Sequence, residues 1–216
     1  MLGISRGENP DLANRFGAAL EQVRLDLSDT RALNDWIGGS ALSGFVGGNA
    51  TPLLVNNAGL LQPVGPLESQ KPSDVAAAVA VNVAAALMFS AAFVSATARA
   101  RDRRILHISS GAARQAYAGW SVYCATKAAL DHHARAVTLD RTPALRIASL
   151  APGVVDTEMQ AEVRSSTEQL FPEKERFVAM KREGRLADPV EIGRSVVAFL
   201  LSDSFGAEPV TDLRSR

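Results

Sequence analysis

Two kinds of apolar pattern alternate along the chain. Short β-branched or leucine-rich runs at residues 2–5, 23–25, 53–55, 105–109 and 147–150 read as strands, and the stretches between them have helix length. Strands alternating with helices at this spacing predict βαβ units, hence a parallel sheet covered on both faces by helices. The fold class is α/β. No repeat, low-complexity tract or Pro/Gly-rich linker divides residues 1–216, so a single domain is expected. Residues 38–50 (GGSALSGFVGGNA) are glycine-dense and read as a loose connection before a strand. From Pro152 to about Gly184 the chain is more charged and less periodic, as in a flap over a site. Helix resumes over residues 189–201, with Asp188 as its cap and Pro189 in the first helical position.

Residues 75–98 carry no charge and are long enough to span a bilayer. Their alanine content and the polar Asn82, Ser90, Ser95 and Thr97 predict instead a helix buried between the sheet and a neighbouring subunit. The N-terminus shows no apolar run of signal-peptide length, so a cytoplasmic protein without a membrane partner is expected.

Composition narrows the function classes. With 23 basic and 23 acidic residues the formal charge is zero, which argues against nucleic acid or an anionic membrane face as partner. One cysteine, Cys124, closes no intrachain disulfide, and with three histidines it supplies no soft-ligand cluster, so no metal is expected.

The stretch SVYCATKAALDHHARAV favours helix and places Tyr123 and Lys127 four apart on one face. A neighbouring ammonium favours a phenolate, which would make Tyr123 a general acid/base close to neutral pH. The bland alternative packs Tyr123 on the sheet and lets Lys127 snorkel to water. Ser110 ends the strand ILHISS, where a hydroxyl can hydrogen-bond a carbonyl oxygen as it gains charge; Ser109 should point the opposite way. LLVNNAG runs an apolar strand into Asn56, Asn57, Ala58 and Gly59, small and polar where a flat ligand can approach the backbone. A serine hydrolase built on His107, Ser109 and Gly111 with His132, His133 and Asp140 fails at the elbow's first glycine, where this chain has a histidine.

Asn-Asn-Ala-Gly after a strand, Asn82 in a helix, Ser110, Tyr123-x-x-x-Lys127 and Pro152-Gly153 followed by Thr157 together resemble the classical short-chain dehydrogenase/reductases, over essentially the whole chain. Within that family, GWSVYCATKAALD, APGVVDTEMQ and MKREGRLADP look most like the sepiapterin and benzil (diketone) reductases. The resemblance implies a Rossmann-like doubly wound parallel sheet and reduction of a carbonyl by hydride from NADP(H). Tyr123 would donate the proton, Lys127 would lower the pKa of Tyr123 and hold the nicotinamide ribose, Ser110 would polarise the carbonyl, and Asn82 would help bind a water linking Lys127 to solvent. Asn56, Ala58 and Gly59 would line the adenosine side and Asp26 the adenine ring, while Pro152, Gly153, Val155 and Thr157 would hold the carboxamide. A homodimer or homotetramer is implied as well. Ser5 and Arg6 follow the strand where a ribose-binding acid would select NAD, and a hydroxyl with a guanidinium suits a 2′-phosphate, so NADPH is expected over NADH.

The family's glycine-rich loop, with the first strand and helix around it, is missing, and its loss is expected to leave residues 2–5 unpaired from residues 53–55. A truncated, non-catalytic dinucleotide-binding protein is the alternative. Trp120, Tyr117 and the flap over residues 159–180 are expected to shape an apolar pocket for a flat aromatic ketone, a diketone or a pterin side chain.

Overall fold

The computed structural model describes residues 1–215, and strands and helices alternate through them. In chain order these are β1 (Leu2–Ser5), α1 (Pro10–Phe16), β2 (Glu21–Arg24), α2 (Thr30–Gly38), α3 (Ala41–Val46), β3 (Leu53–Asn56), α4 (Pro72–Val79), α5 (Ala85–Ala96), β4 (Arg103–Ile108), α6 (Ser121–Leu139), β5 (Leu145–Ala151), α7 (Glu158–Ser165), α8 (Lys174–Arg182), α9 (Pro189–Leu201) and β6 (Val210–Asp212).

All pairings between these strands are parallel. One sheet runs β3-β4-β5-β6, with Val55 opposite Leu106, Leu106 opposite Ala148 and Leu150 opposite Thr211. Helices cover both faces, so the two-residue period sorts side chains into two cores. Ile105 and Ile147 pack with Leu42, Val46, Phe93 and Ala134 on one side. Leu106, Ala148 and Leu150 pack with Phe199, Leu200 and Phe205 on the other. β1 pairs with β2 in a separate ribbon and shares no ladder with β3 among the described residues, the parting expected from the sequence.

Three readings change. Residues 38–50 are not a loose connection: α3 forms inside them because Leu42 and Val46, one turn apart, both reach the core. The segment after Pro152 folds into α7 and α8, which bury Val163 and Phe177 despite their charged outer faces. β6 is a short strand that three residues, Val-Thr-Asp, did not announce. The start of α9 agrees with expectation, since Asp188 Oδ1 accepts from the amides of Val190 (2.8 Å) and Glu191 (3.0 Å) ahead of Pro189.

α4 and α5 form one continuous helix broken by a five-residue π-turn, Ala80–Ala84. This helix, Pro72–Ala96, is long and apolar enough to cross a membrane, but Ala78, Ala85, Ala86, Phe89 and Phe93 are buried inside the protein. Alanine at these positions lets the helix lie close to its neighbours. The π-turn widens one turn and carries Asn82 at its centre.

Candidate active site

The carboxyl ends of β3, β4 and β5 open into a cleft of about 1250 Å³, where open parallel sheets place ligands. Its walls sort by chemistry. Ile4, Ser5, Arg6, Asp26 and Leu27 line one end; Asn57, Ala58, Gly59, Ser110, Tyr123 and Lys127 line the middle; Tyr117, Trp120, Met159 and Phe177 line the other end.

α6 delivers Tyr123 and Lys127 from successive turns of one face, both nearly buried. Lys127 is 3% exposed, and its Nζ donates to the Ile108 carbonyl at 2.8 Å and stands 5.8 Å from the centre of the Tyr123 ring. Burial pushes the Lys127 pKa down to about 8, and the Asp131 carboxylate opposes that shift. The Tyr123 phenol departs from expectation. Burial pushes its pKa up, the Ser110 hydroxyl pulls it down, and the adjacent Cys124 pushes it up further. The depression expected from Lys127 does not appear in this arrangement, because the tyrosine sits in a dry, aromatic wall and the ammonium is turned to a backbone carbonyl.

Ser110 lies just beyond β4 and opens a 3-10 turn, Gly111–Ala113, with its Oγ accepting from the Ala112 amide at 3.2 Å. Ser109 is bound elsewhere, its Oγ donating to Asp131 at 2.6 Å. His107 is fully buried between Asn56 (3.1 Å) and His133 (3.0 Å), and burial drives its pKa down to about 3. Ser109 and His107 are thus engaged with other partners, which removes the geometric basis for a hydrolase.

Two expected site residues stand behind the cleft wall. Asn56 turns away from the cleft: its Nδ2 lies against Ser90 (3.2 Å), the Ala86 carbonyl (3.3 Å) and His107, and Asn57 lines the cleft in its place. The alternation of side chains at the end of β3 decides this, and residue types alone do not. Asn82, 1% exposed, is likewise absent from the wall. Its Oδ1 accepts from the Leu60 amide (2.7 Å), and its Nδ2 donates to the Leu60 carbonyl (2.8 Å) and to Thr126 (3.0 Å). It clamps the loop after β3 to α6, beside Lys127. Gly59 fits between them, since a Cβ there would meet Lys127 Nζ at 3.4 Å and Asn82 Oδ1 at 3.7 Å.

Ser5, Arg6 and Asp26 meet where β1 and β2 end. The Ser5 hydroxyl donates to the Gly7 carbonyl at 2.5 Å, and Arg6 adds to the field that lowers the Asp26 pKa, mainly set by hydrogen bonds from Ser28. Pro152, Gly153, Val155 and Thr157 line the cleft beyond β5.

The far end is aromatic. Trp120 stacks on Phe171 with centroids 4.4 Å apart and planes 5° from parallel, and meets Tyr123, Phe177 and Tyr117 edge-on or tilted at 5.3–5.6 Å. Phe171 and Phe177 belong to the flap, so the flap and α6 share one apolar cluster. The sequence named the flap by range without singling out Arg176, which lines the cleft from α8, and did not single out Asp131; Asn57 was read in the turn after β3 but Asn56 was assigned to the ligand in its place. Asp131 did carry a signal, because it extends the Tyr123–Lys127 spacing by one more turn.

The sequence model of the short chain dehydrogenase family matches residues 12–168. A benzil reductase ((S)-benzoin forming) from Bacillus cereus is 31% identical over 213 residues, covering 95% of this chain and 85% of that protein. A sepiapterin reductase from Xenopus laevis is 30% identical, covering 95% of this chain and 81% of its own. Among solved structures, a short-chain dehydrogenase/reductase from Burkholderia vietnamiensis is 51% identical, with a TM-score of 0.70, covering 99% of this chain and 84% of that one.

Proposed function

The chain belongs to the short-chain dehydrogenase family, and on that premise we propose that it is an NADP(H)-dependent oxidoreductase that reduces a ketone, diketone or pterin-like carbonyl to an alcohol. The observation that carries this reading is the convergence of Tyr123, Ser110 and Lys127 on one cleft that runs from Arg6 to the Trp120 wall. The cleft has room for a dinucleotide and a flat substrate end to end. A nicotinamide dinucleotide held along this cleft would supply the hydride for the carbonyl carbon. Tyr123 gives its proton to the carbonyl oxygen, and Ser110 donates a hydrogen bond to that oxygen as charge develops on it. Lys127 would hold the ribose hydroxyls with its ammonium. Pro152, Gly153, Val155 and Thr157 orient the carboxamide, while Asn57, Ala58, Gly59 and Asp26 line the adenosine side. Asn82 acts from behind the wall, by holding Leu60 and Thr126 in place.

NADP(H) is assigned over NAD(H) because the end of β1 offers a guanidinium, from Arg6, for a 2′-phosphate. A cytoplasmic homo-oligomer without membrane or nucleic-acid partners completes the reading, with Val79 and Leu139 left exposed for subunit contact. The test is consumption of NADPH with benzil and related aromatic diketones, together with fluorescence titrations of both dinucleotides. Arg6→Ala is expected to reduce the preference for NADPH over NADH about tenfold or more, the worth of one charge-assisted contact. An unchanged ratio would place the 2′-phosphate elsewhere. The parting between β1 and β3 favours one second reading, a dinucleotide binder without turnover, which saturable NADPH binding and no consumption across the panel would select.

A further inference from the structure

Behind the cleft floor, one carboxylate gathers donors from several elements. Asp131 lies on α6 one turn beyond Lys127 and two beyond Tyr123, and is 2% exposed. Its Oδ1 accepts from Ser109 Oγ (2.6 Å) and Ser149 Oγ (2.7 Å), and its Oδ2 from Arg114 Nε (3.3 Å). Arg114 also donates to the Thr211 carbonyl of β6 at 3.0 Å. Helix-on-sheet packing needs no such group, since apolar side chains fill this layer one turn further along α6, at Ala134. What the carboxylate adds is placement: Ser109 adjoins Ser110, Ser149 lies on the strand that leads to Pro152 and Gly153, and Asp131 itself shares a helix with Tyr123 and Lys127.

Resting on the reductase reading above, we propose that Asp131 is a positioning residue, which fixes α6 against the ends of β4 and β5 and sets a buried carboxylate one helical turn from Lys127. Lys127 is faced by Tyr123 on its own helix, by Asn82 from the π-turn, and by His107 and the Ile108 carbonyl from β4. His107 is neutral at working pH, so it adds no competing positive charge beside Lys127. Asp131 is the carboxylate that counters the burial of Lys127, which otherwise favours the neutral amine. Removal of its charge shifts Lys127 toward the amine near neutral pH, where the ammonium is needed to hold the ribose hydroxyls.

The chain has four lysines, so their ε-carbons can be followed individually by 13C NMR, with Lys127→Met giving the assignment. In the native protein Lys127 is expected to titrate near pH 8. In Asp131→Asn its midpoint should fall by about one pH unit or more, and the alkaline limb of kcat should move to lower pH with it. Asp131→Glu, which keeps the charge, should return the midpoint to within about half a pH unit of the native value. A folded Asp131→Asn with an unchanged Lys127 midpoint overturns the proposal, as does Asp131→Glu behaving like Asp131→Asn. Should Asp131→Asn not fold, Asp131→Asn with Arg114→Gln removes the buried charge and its guanidinium partner together, and the same lowered midpoint is expected. The titration requires no turnover, so absence of carbonyl reduction by the native protein would count against the reductase reading and leave this one to be decided by NMR.

Discussion

Tyr123→Phe is expected to lower kcat for carbonyl reduction by about 10²–10⁴-fold while NADPH binding and the folded state persist. The substitution deletes one hydroxyl and little else. The ring of Tyr123 packs edge-on against Trp120 at 5.6 Å within the cluster that includes Phe171 and Phe177, and phenylalanine preserves those contacts. The hydroxyl lies 3.8 Å from the Met159 sulfur and interacts with the Ser110 hydroxyl, and neither contact ties an element of the fold in place. Steady-state kinetics with an aromatic diketone, alongside a dinucleotide titration, separate the two effects. Turnover that survives Tyr123→Phe would remove the proton-donor role and with it the mechanism.

Gly119→Ala is expected to raise KM for the carbonyl substrate about tenfold or more and to lower Tm, with NADPH affinity at the Arg6 end little changed. Gly119 has φ of +80°, a conformation that costs an alanine energy regardless of its surroundings. A Cβ there would also stand 2.1 Å from the Leu170 carbonyl oxygen, which is flap backbone and cannot rotate aside. The flap must move, and Phe171, the next residue, must then leave its stack on Trp120. Kinetics, a melting curve and Trp fluorescence check this together. An unchanged KM would mean that the flap plays no part in holding substrate.

The central sheet was legible because β4 and β5 are buried on both faces, which leaves runs such as ILHI and IASL with no polar face to confuse the pattern. α9 was legible from its ends, since Asp188 and Pro189 have few other uses in that order. The flap was not, because its burial rests on Val163 and Phe177 in its helices and Phe171 between them, among charged neighbours, and tertiary contact rather than periodicity creates it. At the site, the spacing of Tyr123 and Lys127 put both on one face of α6, and it was their company with Ser110 and the LLVNNAG turn that gave the pair weight. The choice between Asn56 and Asn57 was not, because it turns on which face of β3 its last residue presents. The direction of the Tyr123 pKa was also beyond the sequence, since adjacency to a lysine says nothing of how much water the fold removes.

The π-turn at Ala80–Ala84 has a consequence for how this chain tolerates insertions and deletions. A π-turn holds one more residue than the α-turn it replaces, so deleting Ala80 or Val81 would leave a regular helix and a chain that still looks helical throughout. Because the wide turn already absorbs that residue, α4 and α5 would keep close to their present phase, and what the deletion removes is the widening that carries Asn82. Asn82 would be drawn into a regular turn and away from the Leu60 loop, and Lys127 would lose its neighbour without any change in its own helix. Single-residue length changes here should therefore be far more damaging than substitutions at the same positions, and a helix that appears interchangeable in composition is fixed in its residue count.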